Sequence, residues 1–144
     1  MTDIFCYTKI DSYTATALPT AEGAIEIAIS ETPITIHGNK CLVLGYGKIG
    51  KLLSKALYGM GAQTYVEARK YADLAMIEGH GYEPLELCNL NKEIHKFDII
   101  FNTVPSLILD DEILSNVKKD ALIIDLASKP GGAELNLNCI LAIR

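Results

Sequence analysis

The run Gly45-Tyr46-Gly47-Lys48-Ile49-Gly50 follows the apolar stretch Cys41-Leu42-Val43-Leu44 and opens a helical pattern. Three glycines at this spacing, between a buried strand and a helix, form a dinucleotide-binding fingerprint. Gly45 permits the tight turn out of the strand, Gly47 removes the Cβ that would collide with a pyrophosphate, and Gly50 lets the helix lie close on the sheet. The helix then offers its unpaired N–H groups to the phosphates. Ile49, Leu52, Leu53, Ala56, Leu57 and Met60 recur at helical spacing and form one apolar face, which must lie on a sheet.

From this point strands and helices alternate. The pattern predicts strands over 64–68, 83–87, 98–102 and 121–125, and a sixth over 139–143. Helices are predicted over 71–78, 91–96 and 110–117. Upstream, Thr20 reads as the cap of a connecting helix over 19–31 that Pro33 stops, and residues 1–18 read as an irregular lead. Such alternation implies right-handed crossovers and a doubly wound parallel sheet, an α/β Rossmann domain over 19–144. Ligands of such sheets sit beyond the carboxyl ends of the strands. Four loops are thereby selected: 45–50, 68–71, 102–106 and 126–132.

Length and charge narrow the class. A chain of 144 residues, 49% hydrophobic and 22% charged, holds one domain with its own core. A net charge of −5 argues against nucleic acid as a partner. No apolar run approaches membrane-spanning length and the first residues lack a signal-peptide pattern, so a cytoplasmic location is expected. Cys6, Cys41, Cys88 and Cys139 lack metal or redox spacing and read as buried reduced thiols. His37, His80 and His95 read as loop or helix surface, and no metal site is expected.

The second strand ends Val66-Glu67-Ala68-Arg69-Lys70, where an acid would hold a free ribose 2′-hydroxyl and cations a 2′-phosphate. Glu67 lies at about the right separation from the glycines, which leaves NAD open. Counting as in 2-hydroxy-acid dehydrogenases puts Ala68 at the acid position, however, and alternation along the strand turns Glu67 to the other face. Arg69 and Lys70 then favour NADP. Asn102-Thr103-Val104-Pro105 would place a backbone turn and the Thr103 hydroxyl along the nicotinamide side, or simply end the strand at a proline turn. Ser128, Lys129, Gly131 and Gly132 supply a hydroxyl, a cation and a donor-bearing backbone suited to an anionic substrate or the nicotinamide. Asp125 reads as an orienting group rather than a proton-transfer group.

Together Pro19-Thr20-Ala21-Glu22-Gly23-Ala24, Thr35-Ile36-His37-Gly38, the fingerprint, Ala68-Arg69-Lys70, Asn102-Thr103-Val104-Pro105 and Ile124-Asp125-Leu126-Ala127-Ser128-Lys129-Pro130-Gly131-Gly132 resemble the family of the first, oxidoreductase subunit of dipicolinate synthase. The resemblance implies an NADP-dependent oxidoreductase of spore-forming bacteria, working in the mother-cell cytoplasm with the second, flavoprotein-like subunit of dipicolinate synthase. It also implies a dicarboxylate substrate, a hydroxy or dihydro form of dipicolinate, and allows a homo-oligomer. Members of that family are longer, with an N-terminal domain ahead of the connecting helix. This chain accordingly reads as their nucleotide-binding domain without it, expected to bind cofactor and not to turn over alone. Two other readings compete: a 2-hydroxy-acid dehydrogenase, whose arginine and histidine-carboxylate set is not visible here, and a nucleotide-sensing regulatory domain, which usually keeps the acid that Ala68 replaces.

Overall fold

Five short apolar runs form the parallel part of the sheet: β2 (Lys40–Leu44), β3 (Gln63–Glu67), β4 (Glu83–Leu85), β5 (Ile99–Asn102) and β6 (Leu122–Asp125). In this computed structural model, residues 4–8, 17–127 and 139–143 are described, the first and last of these by backbone alone. β5 and β6 are buried at every position, as expected of strands covered on both faces. The parallel strands lie in the order β4-β3-β2-β5-β6, so chain direction across the sheet reverses between β2 and β5.

Alternation along the strands sorts the core into two layers. Cys41, Val43, Val66, Phe101 and Ile124 face α1 (Ala17–Glu31), α2 (Lys48–Gly59) and α3 (Tyr71–Gly79), through Ala24, Ala28, Leu53, Leu57 and Ile77. Leu42, Leu44, Ile100 and Ile123 face the opposite layer, which holds α4 (Leu90–Glu93) and α5 (Asp111–Ser115) with Leu90, Ile94, Phe97 and Leu109.

Several expectations are corrected. The lead is not wholly irregular: β1 (Ile4–Thr8) pairs antiparallel with β7 (Cys139–Ile143), and β7 pairs antiparallel with β6, so the parallel sheet carries two antiparallel strands at one edge. Thr20 does not cap α1, which begins at Ala17; Pro19 is tolerated in the first turn, where its missing N–H has no partner to lose. The helix expected over 91–96 is α4 flanked by the 3-10 turns Leu87–Asn89 and Ile94–Lys96. α5 stops at Ser115, and Asp110 caps it by accepting from the Ile113 N–H at 2.9 Å. β4 stops at Leu85, short of the strand expected over 83–87, and lies at the sheet edge, where Pro84 is tolerated. Cys41 is buried as expected, but Cys88 is exposed on the turn after β4; the side chains of Cys6 and Cys139 lie outside the described residues.

The end of the sheet remote from the fingerprint is pinned by Asp98. Its carboxylate accepts the Lys40 N–H at 3.0 Å and the Lys118 ammonium at 2.6 Å, while its backbone bridges β2 and β6. Burial alone would raise the Asp98 carboxyl, but the Lys118 and Lys40 bonds outweigh it and hold the group below the usual carboxylate range. A depressed carboxyl adds stability that is present above its unfolded value and is lost as pH falls through the folded one. Asp98→Ala should therefore cost about 1–2 kcal/mol near neutral pH. Denaturant melts should show the gap from wild type closing as the pH falls below about 4; a gap independent of pH would contradict this account.

Candidate nucleotide-binding site

The fingerprint loop leaves β2 at Gly45, whose φ of +97° lies in the region only glycine enters freely. A Cβ there would also come within 2.6 Å of Thr103 Oγ1 and 2.8 Å of Val104 Cγ2, so the loop after β5 closes on the glycine from below. A Cβ on Gly50 would collide with the Gly45 carbonyl oxygen, which is the close helix–strand approach the third glycine was expected to serve. Gly47 differs. Its backbone is extended, at φ −83° and ψ −158°, and a Cβ there would meet nothing within 4 Å. Among the described residues no atom requires glycine at this position, and the space above it is the space a pyrophosphate would fill.

That space is an open cleft of about 460 Å³, lined by Gly45 to Ile49 on one side and Thr103, Val104 and Pro105 on the other. It lies where strand order reverses between β2 and β5. The first turn of α2 carries no acidic residue and no side-chain cap, and Lys48 and Lys51 are cations set against the positive end of the helix dipole. A bound anion would remove that conflict. By its glycines and its donors, the cleft fits a dinucleotide phosphate.

The loop after β5 is built from inside. Asn102 is fully buried; its amide N–H₂ donates to Asp125 Oδ1 at 3.0 Å and to the Val104 carbonyl at 3.1 Å, and its Oδ1 accepts the Val104 N–H at 3.2 Å. Asp125 Oδ1 also accepts the Ala127 N–H at 3.0 Å, so this carboxylate ties the loops after β5 and β6 together, as an orienting group should. Thr103 lines the cleft, with its hydroxyl proton committed to the protein backbone. The hydroxyl donates to the Leu44 carbonyl at 2.7 Å and holds the end of β2. Asn102 thus braces the cleft wall from inside, and Thr103, Val104 and Pro105 form its surface. Ser128, Lys129, Gly131 and Gly132 lie outside the described residues.

At the end of β3 the cations are free to meet a ligand. Ala68 is buried in the helix-facing layer, while Arg69 and Lys70 are exposed. Arg69 Nη2 reaches the Ser106 hydroxyl at 3.5 Å, beside a hollow of about 210 Å³ lined by Ala68, Arg69, Tyr71, Leu74 and the 86–88 turn. Glu67 points to the opposite layer, as alternation required. It is 1% exposed, and among the described residues its Oε1 has no hydrogen-bond partner. Burial pushes its carboxyl above the usual range, with the Arg69 guanidinium and the Gly45 N–H pulling the other way.

Sequence patterns did not reveal a larger hollow, about 500 Å³, between α2 and α3, whose walls include Lys51, Lys55, His80 and Tyr82. It opens on the helix face rather than at the strand ends, and shares only Tyr46 with the cleft. His37, His80 and His95 are exposed, as expected. Among the described residues no group of three or more His, Cys, Asp or Glu could hold a metal ion, and no helix is long and apolar enough to cross a membrane.

Residues 26–131, well over half the chain, match the family model described as Shikimate / quinate 5-dehydrogenase. The chain belongs to that family. Within the match lie the fingerprint, the Arg69 turn and the loop after β5, so the domain is of the dehydrogenase type that takes a nicotinamide nucleotide. The first subunit of dipicolinate synthase from Bacillus subtilis (strain 168) is 41% identical over 118 residues, which cover 82% of this chain and 40% of that protein. The crystal structure of the same dipicolinate synthase subunit from Bacillus halodurans superposes with a TM-score of 0.80 at 38% identity, over the same 82% and 40%. A transhydrogenase from Sinorhizobium meliloti, 21% identical with a TM-score of 0.74 and covered over 41% of its chain, shares the fold. This chain thus spans about two fifths of the length of the relatives it matches.

The glycine geometry separates binding from folding. Gly47→Val should keep the circular dichroism and melting temperature of wild type while abolishing nucleotide binding, because only the ligand needs the space above it. Gly50→Ala should lower the melting temperature, since its Cβ meets backbone that cannot move aside. Equal loss of stability in both variants would contradict the assignment.

Proposed function

We propose that this chain is the NADP-binding part of an oxidoreductase that forms dipicolinate from a hydroxy or dihydro form of that ring dicarboxylate, together with the second subunit of dipicolinate synthase, in the cytoplasm of a spore-forming bacterium. The observation that carries this reading is the 41% identity to the first subunit of dipicolinate synthase, which runs across most of the chain. The choice of NADP is supported by Arg69 and Lys70, both exposed beyond β3 where Ala68 leaves no acid to repel a 2′-phosphate.

A hydroxy form would first lose water to give the dihydro ring, and that ring would become an aromatic pyridine by giving up a proton to solvent or a base and a hydride, for which a bound oxidised nicotinamide would be the acceptor. Aromatisation supplies the driving force, so what the protein must contribute is placement. The α2 N-terminus and Gly47 would hold the pyrophosphate, and Arg69 with Lys70 the 2′-phosphate. The wall of Val104 and Pro105, braced by Asn102 and Asp125, would set the nicotinamide. Ser128, Lys129, Gly131 and Gly132 are the proposed contacts for a substrate carboxylate.

Affinity decides the cofactor. NADPH should bind more tightly than NADH, and Arg69→Ala should remove most of that preference while leaving NADH nearly unchanged, since the 2′-phosphate is the only differing group. Equal affinities in the wild-type chain, read from nicotinamide fluorescence, would sink the choice of NADP.

A further inference from the structure

Glu67 is a buried carboxyl group in apolar surroundings. Its strand neighbours in register are Leu44 on β2 and Leu85 on β4, and Tyr65, Leu90, Phe97 and Val104 belong to the layer it faces. The ends of β2 and β5 bring it no titratable side chain: Gly45 follows Leu44, and Asn102 to Ser106 are all neutral. On β4 the next residue is Glu86, and from the 3-10 turn after α4 the Lys96 ammonium is engaged over the Tyr65 ring, 4.8 Å from its centroid. The cation set by the chain on Glu67's own side is Arg69, two residues on, which leans toward the loop after β5 by its contact with Ser106.

One guanidinium therefore acts on two anions: the buried Glu67 carboxylate, which it favours through space, and the 2′-phosphate proposed for it. Resting on that reading of the site, we propose that Glu67 is a specificity-determining residue that takes up a proton when Arg69 is drawn to the 2′-phosphate, so that the preference for NADP over NAD weakens as the pH rises. An ionised Glu67 would otherwise be left buried with its counter-charge shared and a like charge added nearby, which is costly. Protonation removes both penalties. NAD brings no 2′-phosphate, so its binding leaves Glu67 as it was. A proton taken up on binding means affinity falls as pH rises through the range where free Glu67 ionises. The 2′-phosphate itself gains its second charge near pH 6, roughly, and pushes the other way, so the informative quantity is wild type against a neutral residue 67.

The test measures NADPH and NADH dissociation constants by nicotinamide fluorescence from mildly acidic to alkaline pH for wild type, Glu67→Gln and Glu67→Leu. Calorimetry in buffers of different ionisation enthalpy adds the proton count. Wild type should lose about tenfold more of its NADPH preference across the range than either variant, the size of one pK unit of coupling. It should take up protons with NADPH and none with NADH, and both variants should take up fewer with NADPH. Parallel pH profiles for wild type and both variants, or equal uptake with both nucleotides, would overturn the role of Glu67 while leaving the site intact. Absence of any nucleotide binding to wild type would overturn the site, and the proposal with it.

Discussion

Helix α2 meets the sheet where Gly50 lies against the carbonyl oxygen of Gly45, closer than any side chain would permit. That approach brings the helix N-terminus over the end of β2, so its free N–H groups open on the cleft instead of on bulk solvent. Everything beside it is arranged to keep the junction tight. The Thr103 hydroxyl and N–H both bond the Leu44 carbonyl, which fixes the strand end from which Gly45 turns. A larger residue at Gly45 would strike Thr103 and Val104, so the two loops have to be placed together.

The reversal of strand order supplies the rest. β2 and β5 run side by side while their following loops diverge, one into α2 and the other toward α5 on the opposite layer. A gap at that point cannot be filled by either crossover, which is why open α/β sheets bind ligands there. In this domain one side of the gap offers glycine backbone and helix donors. The other is a short wall stiffened by the buried Asn102–Asp125 bond, worth more in a low-dielectric interior than at the surface.

Much of this was legible in the residues because it is local. The fingerprint, the apolar runs of β2, β5 and β6, and the amphipathic spacing of α2 each declare themselves within a few positions, and the alternation that turns Glu67 away from Ala68 follows from strand geometry alone. What was not legible depends on partners remote in sequence. The pairing of Ile4–Thr8 with Cys139–Ile143 joins opposite ends of the chain, with no turn motif to announce it. The bond from the Thr103 hydroxyl to the Leu44 carbonyl is visible only in three dimensions, since in the sequence a loop threonine shows no partner. Cys88 is exposed because β4 ends at Leu85 and the chain has left the sheet before it. The hollow between α2 and α3 is assembled from two helices whose separate patterns give no hint of it.

The central claim is that a dinucleotide lies across the ends of β3, β2 and β5. Backbone amide shifts of isotopically labelled protein, followed by NMR while NADPH is added, test it most directly. The account predicts that the largest shifts fall on Gly45 to Gly50, Arg69 and Lys70, and Thr103 to Val104, with those of Lys55 and His80 nearly still. Shifts centred instead on Lys55, His80 and Tyr82, in the hollow between the two helices, would contradict it.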